Sequence, residues 1–84
     1  MAGLKLADYE VQDLNVRIRA RCRDLAVKYN LPLRDQRINR LLRDAYKERF
    51  GGLVKETSRD DYYTAREFIE SWEDSERIRL IHKA

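Results

Sequence analysis

Apolar residues recur at steps of three or four through the first third of the chain, which is the spacing of one face of an α-helix. The repeating positions are Leu4, Ala7, Val11, Leu14, Ile18, Cys22, Leu25 and Tyr29. At about 100° per residue they form a stripe about 80° wide. No proline or glycine interrupts this stretch. The pattern predicts a long first helix over about residues 7–29.

A second apolar stripe lies on the opposite side of the same predicted helix. It consists of Tyr9, Val16, Ala20 and Val27. In so short a chain, one apolar face is expected to pack on the rest of the molecule and the other on a second chain. The two stripes therefore predict a homo-oligomer, a dimer or a tetramer, that assembles through the first helix.

A second helix is predicted over residues 34–50. Asn30 favours the end of the first helix, and Pro32 disfavours helical geometry at the residue before it. Gly51 supplies the left-handed residue that ends the second helix. Its predicted buried face consists of Ile38, Leu41, Leu42 and Ala45, with Tyr46 and Phe50 at the margin.

A third helix is predicted over residues 59–74, after an extended connection that places Leu53 or Val54 on the core. Ser58 is its expected cap, with the hydroxyl accepting from the backbone N–H of Asp61. The predicted buried stripe is Tyr62, Ala65, Ile69 and Trp72, widened by Phe68. The tail, residues 75–84, fits either a further helical turn or a strand added to the edge of a partner.

These patterns predict a single all-α domain over residues 1–84. The expected fold is a small bundle of three main helices with a short extended connection before the third. Three glycines and one proline in 84 residues leave few turn signals for a β-rich fold. A core of this size supplies only about 3–5 kcal/mol, which also favours self-association.

The charge balance, the single cysteine and the lack of long apolar runs indicate the cellular compartment. Residues 1–52 carry twelve Lys and Arg against seven Asp and Glu, whereas residues 53–84 carry six against eight. Cys22 is the only cysteine, which fits a reducing cytosol. The N-terminus lacks the apolar run of a secretory signal, and no window approaches the roughly 18 apolar residues of a membrane span. We expect a soluble cytoplasmic protein without membrane contact.

No set of residues has the pattern of a catalytic, cofactor or metal site. Cys22 lies on the main apolar stripe, which favours an inert core thiol. His82 is the only histidine and lies in the tail. The third helix carries carboxylates whose spacing points them to solvent: Glu67, Glu70, Glu73 and Asp74. We expect no catalytic residue, no metal ligand and no cofactor, and therefore a binding protein.

Two surfaces are candidates for protein contacts. One is the second stripe of the first helix. The other is the outward face of the third helix, where Tyr63 points away from the buried stripe and lies near Glu67, Glu70 and Asp74. Because buried apolar anchors supply most binding energy and exposed charges little, we favour the second stripe.

The segment from Tyr46 to Trp72 resembles the C-terminal domain of phage antirepressor proteins. The matching features are Tyr46 ahead of Arg49-Phe50-Gly51, a Val-Lys connection, an acidic helix start, and Phe68-Ile69-Glu70-Ser71-Trp72. The resemblance implies a non-enzymatic phage or prophage protein in the bacterial cytoplasm. Such proteins bind a phage repressor and remove it from operator DNA, which promotes lytic induction. In larger antirepressors this domain follows an N-terminal domain, so the resemblance implies a small stand-alone form for this chain.

The alternative interpretation is a basic phage accessory protein that binds nucleic acid. Arg40, Arg43 and Lys47 share the predicted solvent face of the second helix and would contact phosphates. This face is short, lacks interleaved aromatic residues and accompanies no base-reading motif. A solvated face or a salt-bridge network explains it more simply, and we do not expect direct nucleic-acid binding.

Overall fold

The computed structural model describes the backbone of residues 4–83 and the side chains of residues 4–81. Within this range the long elements are four helices: α1 (Asp8–Lys28), α2 (Arg37–Phe50), α3 (Tyr62–Ser71) and α4 (Ser75–Lys83). Two single 3₁₀ turns, Val54–Glu56 and Arg59–Asp61, join α2 to α3. The all-helical prediction is confirmed, with four helices instead of three, whereas the connection predicted as extended contains the 3₁₀ turn Val54–Glu56.

One side of α1 packs against α2 and α3. The larger core cluster consists of Leu6, Leu14, Ile18, Leu42, Tyr46, Val54, Ala65 and Ile69. A second cluster, made of Leu25, Ala26, Ile38 and Ile78, closes the far end of α1 against α2 and α4. The described backbone measures 47 × 21 × 17 Å, and its smallest extent fits two layers of helices whose axes are about 8–10 Å apart. The opposite side of α1 therefore stays uncovered.

The predicted helix ends at Asn30 and Gly51 are confirmed. Asn30 has φ 56°, and the N–H of Leu31 donates to the carbonyl of Ala26 at 2.8 Å. Gly51 has φ 77°, and its N–H donates to the carbonyl of Lys47 at 2.8 Å. Both residues take the left-handed conformation that satisfies the last carbonyls of a helix.

α2 begins three residues later than predicted, at Arg37 instead of residue 34. The residues before it form a turn that starts at Pro32, whose carbonyl accepts from the N–H of Asp35 at 3.0 Å. The Asp35 carboxylate then accepts from the N–H of Arg37 at 2.9 Å. A side chain that bonds the backbone two residues on competes with helix formation, which delays the start.

The predicted third helix is divided at Trp72, where the backbone is extended with ψ 132°. α4 follows, capped by the Asp74 carboxylate, which accepts from the N–H of Arg77 at 3.1 Å. Of the two interpretations of the tail, the helical one is correct over Ser75–Lys83, and Ala84 lies outside the described residues. The break turns Ile78 into the second core cluster, where it is fully buried.

The start of the third segment also differs from the prediction. The hydroxyl of Ser58 accepts from the N–H of Asp60 at 3.4 Å, and not from that of Asp61. Residues 59–61 form a 3₁₀ turn, in which the N–H of Asp61 donates to the carbonyl of Ser58 at 3.0 Å. This tighter turn takes Asp61 away from the hydroxyl.

The connection between α2 and α3 closes the larger cluster. Val54 is buried and Leu53 is exposed, so the former supplies the predicted core contact. Tyr46, predicted at the margin, is fully buried, and its hydroxyl bonds that of the buried Thr57. The N–H of Leu6 donates to the carbonyl of Thr57 at 3.2 Å, which ties the N-terminal segment to the same point.

Replacing Tyr46 by Phe should lower the free energy of unfolding by about 1 kcal/mol, because Thr57 loses one hydrogen bond but keeps the carbonyl of Leu53 at 3.3 Å. Replacing it by Ala should cost about 3–5 kcal/mol through the cavity. Urea denaturation measures both. Tyr63→Phe, at an exposed tyrosine, is the neutral control. Equal stability of Tyr46→Ala and the native chain would contradict this core.

Candidate protein-interaction surfaces

The second stripe of α1 lies on the uncovered side of the helix. The side chains of Tyr9, Val16 and Val27 are 66%, 52% and 68% exposed, and Ala20 is exposed as well. We call these four residues the outer stripe. Large apolar side chains with this exposure on one helix face are typical of a surface that contacts another protein.

Shallow depressions flank Ala20 on the outer stripe. One has a volume of about 250 Å³ and is lined by Val16, Arg19, Ala20 and Arg23. The other has a volume of about 290 Å³ and is lined by Arg17, Ala20, Arg21, Asp24 and Glu70. The methyl side chain of Ala20 leaves these spaces open between longer neighbours. An apolar side chain of a partner has room to enter there.

The acidic face predicted on the third helix is largely used within the chain. Glu70 is exposed but pairs with Arg17, at 2.5 Å between Oε1 and Nη1. Asp74 caps α4 and lies 3.5 Å from the guanidinium of Arg77. Glu67 is exposed, as predicted. The expectation that these carboxylates face solvent is confirmed for Glu67 and Glu70, whereas Asp74 is half-buried.

Glu73 is also misplaced by the prediction, since its side chain is only 24% exposed. Its carboxylate accepts from Nζ of Lys28 at 2.8 Å and from the hydroxyl of Tyr29, and it lies 3.5 Å from Arg21. The hydrogen bonds from Lys28 and Tyr29 lower the pKa of the Glu73 carboxyl. The break at Trp72 turns this side chain back to the end of α1.

The carboxylate of Asp13 joins the first half of α1 to the start of α3. The hydroxyl of Tyr62 donates to Asp13 at 2.5 Å, and Nε of Arg17 donates to the same oxygen at 2.9 Å. These bonds, first that from Tyr62, lower the pKa of the Asp13 carboxyl. The pair of Asp13 with Arg17 has the i, i+4 spacing that a sequence shows. No sequence signal places Tyr62, 49 positions away, beside Asp13.

Tyr63 is 72% exposed, as predicted. Its ring meets that of Tyr62 edge-on with 5.2 Å between centroids, and the Arg66 guanidinium lies 5.7 Å from both centroids. Cation–π contacts at such exposed sites contribute about 0.5–1 kcal/mol. They hold Tyr63 in place on the surface. Tyr63 lies on α3, whereas the outer stripe lies on α1.

The basic face predicted on α2 is incomplete. Arg40 and Lys47 are exposed, but Arg43 is half-buried. Its guanidinium donates to Asn39 at 2.9 Å and to Asn15 of α1 at 3.3 Å. The prediction that Arg43 points to solvent is wrong, because it ties α2 to α1. Only two of the three basic residues are available to a phosphate.

Of the remaining candidates for chemistry, Cys22 occupies a structural position. Cys22 is half-buried beside Asn39, and burial raises the pKa of its thiol, which disfavours the reactive thiolate. The side chain of His82 lies outside the described residues. Within residues 4–81, no three His, Cys, Asp or Glu side chains group as metal ligands would. In the part of the chain that the structure describes, no helix is long and apolar enough to cross a membrane.

Neither a protein-family model, nor a curated protein, nor a solved structure matches this chain.

Acidification should expose the contribution of Glu73. Folding lowers the pKa of the Glu73 carboxyl below the ordinary glutamate value of 4.5. Such a group stabilises the folded protein at pH values above 4.5, and this stabilisation is lost as the pH falls through the lowered pKa. Glu73→Gln should therefore destabilise the chain at pH 7 and make its loss of stability below pH 4.5 shallower. Urea denaturation across this range measures both effects.

Glu67→Gln is the matched control, because it removes an exposed carboxylate from the same segment. It should leave the stability at pH 7 nearly unchanged. If both variants had the same profile as the native chain, the bonds of Glu73 to Lys28 and Tyr29 would contribute nothing to folding.

Proposed function

We propose that this chain is a non-enzymatic phage or prophage antirepressor. It binds a phage repressor in the cytoplasm of the bacterial host and prevents or reverses operator binding, which promotes lytic induction. The resemblance of Tyr46–Trp72 to the antirepressor domain supplies the class of partner. The exposed outer stripe supplies the contact surface, and its exposure is the observation that carries the proposal.

The apolar surface is the better contact for energetic reasons. Fully burying one exposed Val gains about 1.5–3 kcal/mol, whereas an exposed ion pair gains about 0–1 kcal/mol. The carboxylates of the acidic face already form contacts within the chain, since Glu70 pairs with Arg17 and Asp74 caps α4. A repressor that used this face would have to compete with these bonds.

A repressor oligomerises through apolar surface, and the outer stripe is suited to compete for it. Its residues follow one line along a helix, so they match a groove or a second helix. In this mechanism the chain binds the repressor where its own subunits meet. Operator binding is lost because the repressor dimer separates, without contact between the antirepressor and DNA.

Expression in a lysogenic host and a gel shift with the repressor of that prophage test the proposal together. The native chain should raise phage release and remove the repressor from its operator. Val16→Glu with Ala20→Glu should abolish both effects, because two buried charges in the contact would each cost several kcal/mol. Circular dichroism should report an unchanged helical fold, since both positions are exposed.

Leu80→Glu is the matched control, because it places a charge at an exposed leucine of α4, 59% accessible, away from the outer stripe. It should act as the native chain does. An unchanged repressor–operator band with the native chain would refute the proposal. A shifted band from operator and this chain alone would instead support the nucleic-acid-binding alternative through Arg40 and Lys47.

A further inference from the structure

We propose that α1 pairs with α1 of a second copy of this chain in an antiparallel arrangement with a two-fold axis near Ile18. The outer stripe is symmetric about that residue: Tyr9 and Val27 lie nine positions from it, and Val16 and Ala20 lie two. Eighteen residues make five turns of an α-helix, so Tyr9 and Val27 project in the same direction. Reversal of the helix therefore maps the stripe onto itself.

Side-chain volume favours the antiparallel register. In it, Tyr9 of each copy faces Val27 of the other, and Val16 faces Ala20. A parallel pair would place Tyr9 against its own copy and leave two alanines opposite each other. Interfaces of packed helices alternate large and small side chains to fill the space between them. The antiparallel pair satisfies this requirement along the whole stripe.

The depressions beside Ala20 have the form that this packing requires. The first is lined by residues 16, 19, 20 and 23, and the second includes residues 17, 20, 21 and 24. Both sets have the i, i+3, i+4, i+7 spacing of a hole in knobs-into-holes packing. Val16 of the second copy reaches the level of Ala20 in the proposed register. It therefore enters one of these two holes.

The charges of α1 do not select the register. Its second half exposes Arg19, Arg23, Asp24 and Lys28, and Lys28 already bonds Glu73. An antiparallel pair opposes the two helix dipoles, but it also brings the two copies of Arg19, one residue from the axis, close together. Exposed charges contribute little, so the side-chain volumes decide the register.

The area that two α1 helices would bury against each other is small, and this limits the affinity of the dimer. A helix of 21 residues is about 31 Å long, and one face of it buries less than the roughly 800 Å² per partner of a standard interface. We expect a reversible dimer with a dissociation constant in the micromolar range. The outer stripe cannot face a second copy and a repressor together. If the proposed function holds, self-pairing therefore competes with repressor binding.

Cysteine cross-linking in a Cys22→Ser background tests the register. Tyr9→Cys and Val27→Cys chains are mixed at high micromolar concentration and oxidised. The antiparallel pair should give a disulfide between the two variants at least about tenfold more often than within either variant. Two copies of Tyr9 would lie about 27 Å apart in this register, far beyond the roughly 4.4–6.8 Å between Cα atoms that a disulfide requires.

Preferential cross-linking of each variant with itself, or equal yields of all pairs, would overturn the proposal. Sedimentation equilibrium provides the second measurement. The native chain and Leu80→Glu should dimerise, and Val16→Glu with Ala20→Glu should stay monomeric. A native chain that is monomeric at high micromolar concentration would also overturn it. Since no repressor is present, these outcomes do not depend on whether the chain is an antirepressor.

Discussion

Along the seam between α1 and α3, Leu14, Ile18 and Ile69 are buried in one cluster, and polar groups pair along its edges. The hydroxyl of Tyr62 binds Asp13 at one end, and the guanidinium of Arg21 donates to the carbonyl of Trp72 at the other, at 2.9 Å. These bonds fix where α3 starts and where the chain leaves it. The position of α4 follows, because the bend at Trp72 directs Ile78 against Leu25 and Ile38.

The same seam decides which surfaces remain for a partner. Glu70 and Glu73 form ion pairs with basic side chains of α1, so that two carboxylates of the third segment already have partners within the molecule. The seam also turns one side of α1 inward and leaves the outer stripe with no covering element in residues 4–83. The outer stripe is thus an apolar surface that folding does not use, and apolar surface contributes more to association than exposed charge.

Periodicity predicts α1, α2 and α3, because each buries a regular stripe, whereas the tail that forms α4 fits either a helix or a strand. Asn30 and Gly51 were located correctly, since a left-handed helix end has a short-range sequence signal. α3 ends at Ser71, three residues before the end predicted at residue 74, because Asp74 caps a new helix in a sequence that favours helix on both sides of Trp72.

The outer stripe was visible in the sequence because exposure on a helix follows from spacing alone. The hydrogen bonds of Glu73 and Arg43 are not visible in the sequence, because their partners are distant along the chain. The partners of Glu73 lie 44 and 45 positions away, and the partner of Arg43 on α1 lies 28 positions away. The symmetry of the outer stripe about Ile18 lies in the sequence as well. Its meaning depends on the depressions beside Ala20, which appear only when the lengths and directions of the neighbouring side chains are known.

We propose that α1 contacts a second copy of this chain through the outer stripe. Amide spectra of the ¹⁵N-labelled chain across a dilution series test this contact. Pairing through the outer stripe predicts concentration-dependent shifts at Tyr9, Val16, Ala20 and Val27, with the amides of α3 unchanged. Shifts centred on Tyr63 and Glu67, or spectra that do not change with concentration, would contradict it.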